Sequence, residues 1–335
     1  MDPLSQATLG AAAAALFSSP SSVRRAVFVG ACAGAAPDLD VFIRSAADPL
    51  LTLEYHRHFT HAVVVAPIIG LSIAALCKLV FFLRNWRYKE LATFAIAGAV
   101  THGFLDACTS YGTLLYLPFS NYRVSWDIIS IIDPIFTLPL TLLVLFACVL
   151  RRPQYAKTAL VLCCAYLCFG IIQRERAQSF AHGLAKSRGH LQVEQLTARP
   201  SFGNTILWRL VYRFDNTYYV DAVQLMPFSK PRHYLGASVP AYTRDERLPV
   251  NSVLGQDVER FRFFSQNYLY RYPHDPEVVG DLRYAMFPDS ITPLWGIRVD
   301  LKKTGEHTEF VYFRDGSLRA FDRLWSMIQG KVDSD

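Results

Sequence analysis

Three histidines and an arginine fall within the seven residues Tyr55-His56-Arg57-His58-Phe59-Thr60-His61, and a long apolar run follows at once. Two further clusters share this character. Pro37-Asp38-Leu39-Asp40 closes one apolar segment, and Thr101-His102-Gly103-Phe104-Leu105-Asp106 ends another. His102 and Asp106 are four residues apart, so on a helix they share a face about one turn apart. That spacing serves one shared ion, or one ion of a pair each. His56 and His61 are five apart at a helix start, where a turn brings both inward. Asp38 and Asp40 project to one side if their stretch is extended. Mixed nitrogen and carboxylate donors suit zinc first, and manganese or iron next, better than calcium. Six such groups exceed the needs of one tetrahedral ion, which leaves two metals or one metal with a base.

The chemistry expected of such a site is hydrolysis. A bound metal lowers the pKa of a coordinated water toward about 7, and a metal pair clamps the attacking and leaving oxygens of a phosphoester. Arg57 is placed to bind a phosphate oxygen, and Arg123 offers the same chemistry. Asp127 or Asp133 would take or deliver a proton, or orient a ligand histidine. Each residue also has a plainer reading. His58 is a packed histidine, Asp106 a partner for Arg57 or Arg123, and Cys108 a small apolar filler rather than a soft ligand. Asp133-Pro134 has the form of a helix cap, with Asp127 as a second candidate cap. The pattern outweighs its members, because an ionisable group inside a membrane costs roughly 2.5–3.5 kcal/mol even on permissive scales.

The surrounding sequence indicates what must hold these groups. Of 335 residues 52% are hydrophobic, and they concentrate before about Gln173. The shift in composition divides the chain into a helical membrane domain at 1–173 and an α+β domain at 174–335. The net charge of +6 contains no basic run of the kind that binds nucleic acid. All seven cysteines lie in the apolar half without a Cys-x-x-Cys pair, so no disulfide framework is expected. The N-terminus lacks the basic region of a cleavable signal.

Apolar segments are expected at Leu4–Phe17, Ala26–Ile43, Ala62–Leu83, Leu91–Ala107, Ile128–Leu150 and Thr158–Gln173, with Ala62–Leu83 the clearest span. If each crosses, the basic loops at Arg24/Arg25, Arg84/Arg87/Lys89 and Arg151/Arg152/Lys157 share the cytoplasmic side. The histidine and aspartate clusters and the C-terminal domain then share the other. In that domain Ile206–Phe214, Thr217–Leu225, Leu294–Leu301 and Glu309–Phe313 read as strands. Ser317–Gln329 reads as an amphipathic helix with Leu318, Phe321, Leu324, Trp325 and Ile328 on one face.

The N-terminal half resembles the bacterial inner-membrane metal-dependent hydrolases called YdjM-like, some described as LexA-regulated. The resemblance rests on Met1-Asp2-Pro3-Leu4-Ser5-Gln6, Pro37-Asp38-Leu39-Asp40, His56-Arg57-His58-Phe59-Thr60-His61 and His102-Gly103-Phe104-Leu105-Asp106. It continues through Thr109-Ser110-Tyr111-Gly112-Thr113, Pro118-Phe119 and Ile132-Asp133-Pro134. It implies a membrane-embedded hydrolase in which Asp38, Asp40, His56, His61, His102 and Asp106 bind one or two metal ions, with Arg57 beside them. His58 is not a position the pattern demands. Many shorter relatives carry histidine where this chain has Gln6, a weak metal ligand. The expected function is cleavage of an ester or phosphoester in a lipid or lipid-linked substrate at the inner membrane. The competing expectations are a non-enzymatic membrane protein with structural clusters and a partner-binding outer domain, and a proton- or metal-coupled transporter.

Overall fold

The computed structural model describes residues 1–80, 83–314 and 316–331. The chain divides into two compact units. One comprises Met1–Ile43, Tyr55–Ile171 and Phe202–Asn204; the other comprises Arg44–Glu54, Ile172–Ser201 and the residues from Thr205 on.

The helices up to Ser187 are α1 (Pro3–Ala15), α2 (Val23–Ala35), α3 (Leu51–Tyr55), α4 (Ala66–Leu79), α5 (Tyr88–Cys108), α6 (Pro134–Val149) and α7 (Gln154–Ser187). Their starts follow from local chemistry. The Asp2 carboxylate accepts the Ser5 amide ahead of α1, and Asp133 accepts the amides of Ile135 and Phe136 ahead of α6. Each cap is followed by a proline, whose missing N–H costs nothing in a first turn.

Small residues let α1, α2 and α5 meet backbone to backbone. A Cβ on Gly30 would lie 2.5 Å from the Gly10 carbonyl oxygen, and one on Gly98 would lie 2.5 Å from that of Gly30. Side chains larger than hydrogen are therefore excluded at these crossings, as in close-packed membrane helices. Around them Ala14, Ala26, Ala33, Phe94 and Ala95 form one buried cluster, while Ala11, Leu105, Phe136 and Leu140 belong to another.

The helices are shorter than the apolar runs. Of the described residues, α5 with 21 and α7 with 34 are long and apolar enough to cross a membrane. Leu51–His61 with Ala66–Leu79, bent by 84°, would make a third span if the pair is one. The expected helix at Ala62–Leu83 is corrected. It begins only at Ala66, with Pro67 in its first turn, and has 14 residues; residues 81 and 82 of that run lie outside the described residues. α1, α2 and α6 have 13, 13 and 16 residues, below the roughly 20 that a bilayer core asks for. Crossing by every segment, which the charge argument assumed, is therefore not carried by helix length. α7 also runs past residue 173 without a break.

The second unit holds two antiparallel sheets in sequential order. The first contains β1 (Gln195–Pro200), β2 (Leu207–Phe214), β3 (Thr217–Gln224) and β4 (Arg232–Pro240). The second contains β5 (Leu269–Tyr272), β6 (Asp275–Asp281), β7 (Trp295–Arg298) and β8 (Glu309–Tyr312). Helix α8 (Val253–Phe264) lies between them in sequence, and α9 (Leu318–Ile328) follows. The β2–β3 hairpin turns through Asp215 and Asn216, both at positive φ, as a two-residue turn that matches strand twist requires.

The four strands expected from branched and aromatic residues are present as β2, β3, β7 and β8. The other four and α8 were not anticipated, because β4 carries Gly236 and β6 opens on Asp275-Pro276-Glu277; pairing decides such strands more than propensity does. Arg209 of β2 is buried and donates to the carbonyls of Leu282, Pro288 and Ser290. Burial lowers its pKa to about 10, so it stays charged at neutral pH. In α9 the expected apolar face is only partly buried. Ala320, Leu324 and Met327 are covered, whereas Leu318, Phe321 and Trp325 are exposed.

Candidate metal centre

Four of the sequence-selected groups converge within the first unit. Asp38, His61, His102 and Asp106 offer donor atoms that all lie within 4.8 Å of one another. His102 and Asp106 come from the last turns of α5, His61 from the 3₁₀ turn Phe59–His61, and Asp38 from the 3₁₀ turn Ala36–Phe42. His61, His102 and Asp106 are buried, and the Asp38 side chain is 22% exposed.

Hydrogen bonds behind the histidines assign their tautomers. His102 Nδ1 faces the Gly34 carbonyl oxygen at 2.6 Å, which can only accept, so the proton sits on Nδ1. His61 Nδ1 lies 2.9 Å from the Thr60 hydroxyl, which donates to Asp40, and 3.2 Å from the Asp40 carboxylate itself, so both neighbours place its proton there likewise. Nε2 is then the atom each ring can turn over to a cation, and the two Nε2 atoms point at each other across 2.9 Å. Asp106 Oδ2 lies 3.0 Å from His61 Nε2, and Asp38 Oδ1 lies 3.5 and 3.4 Å from the two Nε2 atoms. Two nitrogens and two carboxylate oxygens thus aim electron pairs at one place. Asp106 Oδ2 is buried with no hydrogen-bond partner among the described residues. A divalent cation is the group that such a donor set fits.

The two oxygens of Asp106 divide the work. Oδ2 faces the histidines, while Oδ1 receives Gln6 Nε2 at 2.9 Å, Arg57 Nη2 at 3.2 Å and the backbone nitrogen of Met1. Gln6 is fully buried and so does bear on the site, by fixing Asp106. Its polarity in an apolar helix was the sequence signal for this role. The Gly34 carbonyl and the Thr60 hydroxyl gave no such signal, since any residue supplies a carbonyl and threonines are common.

Asp38 and Asp40 do not project together as extended backbone would require. Their turn is 3₁₀, where residues two apart point in different directions. Asp40 accordingly sits behind the histidines. Its Oδ1 meets His56 Nδ1 at 2.8 Å, and its Oδ2 accepts from the Arg57 amide at 3.0 Å and the Thr60 hydroxyl at 2.7 Å. Burial alone would raise the Asp40 carboxyl, but the His56 and His61 donors outweigh it and hold the group below the ordinary carboxylate range. Asp38, Asp40 and His56 also form a second, partly exposed group that could hold an ion. Orienting carboxylates of this kind typically change metal affinity 10–100-fold when lost. Asp40→Asn is therefore expected to weaken zinc binding at the four-donor group by roughly that range without abolishing it, as read by competition with a chelator. Unchanged affinity would remove Asp40 from the centre.

Arg57 adopts φ 63°, a left-handed conformation uncommon outside glycine. Its guanidinium reaches Thr109 Oγ1 at 2.7 Å and lies over the Tyr111 ring. Arg123 approaches the same ring and donates to the Gly112 carbonyl at 2.9 Å. The remaining candidates are placed elsewhere. Asp133 caps α6 with Oδ1 and accepts the Tyr166 hydroxyl with Oδ2 at 2.8 Å, so both oxygens serve helix placement. Asp127 is buried at φ 52° in the loop before α6. His58 packs against Tyr55 and Phe59, and Cys108 lies in the apolar core with Ile128 and Phe136.

A stretch of 121 residues, 35% of this chain, is 30% identical to the uncharacterized protein YfhP of Bacillus subtilis (strain 168), and spans 35% of that relative's length. No solved structure matches the chain. The family model described as YdjM inner membrane protein matches residues 1–177, a stretch that contains every donor of the converging group. The chain belongs to the YdjM inner membrane protein family.

Proposed function

We propose that the protein is a metal-dependent hydrolase of the inner membrane that cleaves an ester or phosphoester of a lipid or lipid-linked substrate. The observation that carries this reading is the convergence of two imidazole nitrogens and two carboxylate oxygens beside a buried arginine. Asp38, His61, His102 and Asp106 would hold the ion, zinc in the first place, with Asp40 and His56 as its support or as part of a second site. When bound, the ion lowers the pKa of a coordinated water toward about 7 and stabilises charge on a phosphoryl or carbonyl oxygen.

The chain's own residues supply the rest. Arg57 Nε is buried with no hydrogen-bond partner among the described residues, a donor suited to an anionic substrate oxygen. Tyr111 stacks beneath the guanidinium and limits its swing. Hydrophobic side chains flank the donors on the same turns: Leu39 and Phe42 are 61% and 70% exposed, and Phe59 is 44% exposed. Apolar residues beside a charged centre suit a substrate with a polar head and hydrocarbon chains. An extracytoplasmic C-terminal domain belongs to the same proposal, and it requires that the segments between the basic loops cross although α1, α2 and α6 have only 13, 13 and 16 residues.

The test uses the full chain in mixed micelles, stripped with chelator and resupplied with zinc or manganese. Expected is metal-restored release of phosphate or headgroup from a lipid phosphoester, lost at least about tenfold in Arg57→Met, the scale of one charge-assisted contact. A stoichiometrically loaded protein that cleaves no ester in a broad panel would overturn the enzyme and leave the structural reading of the clusters.

A further inference from the structure

The segment Arg44–Glu54 joins the turn carrying Asp38 and Asp40 to the stretch that begins at Tyr55-His56, and it folds with the second unit. Arg260, on α8 of that unit, grips it in two places. Nη1 and Nη2 donate to the two carboxylate oxygens of Asp48 at 3.1 and 3.0 Å. Nη2 and Nε donate to Glu54 Oε2 at 2.7 and 3.2 Å. Nη1 also reaches Asp257 Oδ1 at 2.9 Å. Asp257 has a 1% exposed side chain and is itself fixed by the Thr308 amide and His307 Nδ1, each at 2.9 Å. Leu50, between the two gripped carboxylates, is 1% exposed.

Asp48, Asp257 and His307 are close enough together to hold an ion, but the Arg260 guanidinium already stands between the two carboxylates and supplies the positive charge. The arrangement is an ion network around one arginine. Isolated exposed ion pairs stabilise little. A bidentate fork shared among three carboxylates, one of them buried, holds geometry far better.

Glu54 stands two residues before His56. We propose that Arg260 is a positioning residue for the metal centre: by fixing Asp48 and Glu54 it sets the path of the segment from whose two ends Asp40 and His56 emerge. The proposal rests on the metal reading above. It gives the C-terminal half a part in the site through a residue more than 200 positions away in sequence, as the separation of 206 between Glu54 and Arg260 records.

The experiment compares wild type, Arg260→Met and Arg298→Met as full chains in detergent, with cobalt as the probe. Arg298 pairs with Asp275, Glu277 and Glu309 in the second sheet, so its loss removes a comparable network without touching the segment. Expected for Arg260→Met are faster amide exchange across residues 51–56, cobalt binding weakened about tenfold, the lower end for outer-shell changes, and an altered visible spectrum of the bound ion. Arg298→Met is expected to leave all three as in wild type. Wild-type affinity and spectrum in Arg260→Met would overturn the proposal, as would equal weakening by Arg298→Met. A wild-type chain that binds no cobalt would overturn the metal reading and this proposal with it, a result distinguishable from failure in the variant alone.

Discussion

Alanine at His61 is expected to abolish stoichiometric metal binding by the full chain in detergent, and with it any metal-dependent hydrolysis. His61 meets the centre with both nitrogens. Nε2 faces His102, Asp106 and Asp38, while Nδ1 is held by the Thr60 hydroxyl and Asp40. Its removal therefore deletes one donor and releases the carboxylate that orients it. The loss of affinity should exceed the 10–100-fold typical of an outer-shell residue. His58→Ala is the matched control, since that ring packs against Tyr55 and Phe59 rather than joining the converging group. Elemental analysis of purified protein, supported by chelator competition, decides the matter. Metal retained at wild-type stoichiometry in His61→Ala, with His58→Ala losing it, would assign the ligand to the wrong histidine.

How far the site was legible depends on the local geometry of each cluster. His102 and Asp106 could be paired from sequence because a regular helix fixes the direction of residues four apart. Asp38 and Asp40 could not be assigned separate roles, because a proline followed by alternating residues fits an extended strand or a 3₁₀ turn equally well. The turn that forms sends Asp38 to the donors and Asp40 behind them. The Asp133-Pro134 sequence fits a cap and a catalyst alike, and in the structure both carboxylate oxygens are engaged, by α6 and by Tyr166.

The apolar half was legible as membrane-type helix, but helix lengths were not, since hydropathy does not register where a chain turns. Val63–Val65 is as apolar as the helix it precedes, yet α4 starts only at Ala66. Gln6 shows the same limit from another side. Its chemistry argued against direct ligation, and only the approach of α1 to α5 reveals that it holds Asp106.

Gly103→Ala is expected to weaken metal binding about 10–100-fold, although the residue carries no donor side chain. Gly103 follows His102 on α5, and a Cβ there would lie 2.3 Å from the His61 carbonyl oxygen, far inside any real contact. The obstacle is backbone, so no side-chain rotation relieves it. Either the turn Phe59–His61 lifts from α5 or the helix shifts away from it. Both movements pull His61 Nε2 away from His102 Nε2, which now lies at 2.9 Å, and from Asp106. Overpacking also costs stability, typically about 1–3 kcal/mol, so the comparison must separate general loosening from displacement of the ligand. Gly70→Ala provides it. A Cβ on Gly70 would lie 2.7 Å from the Ile96 Cα, an equally hard backbone contact between α4 and α5 that no donor residue shares. Both variants should lower the unfolding temperature in detergent by similar amounts, while Gly103→Ala alone loses affinity for zinc. Equal losses of affinity would mean that the bundle as a whole, rather than the contact beneath His61, sets the geometry of the centre.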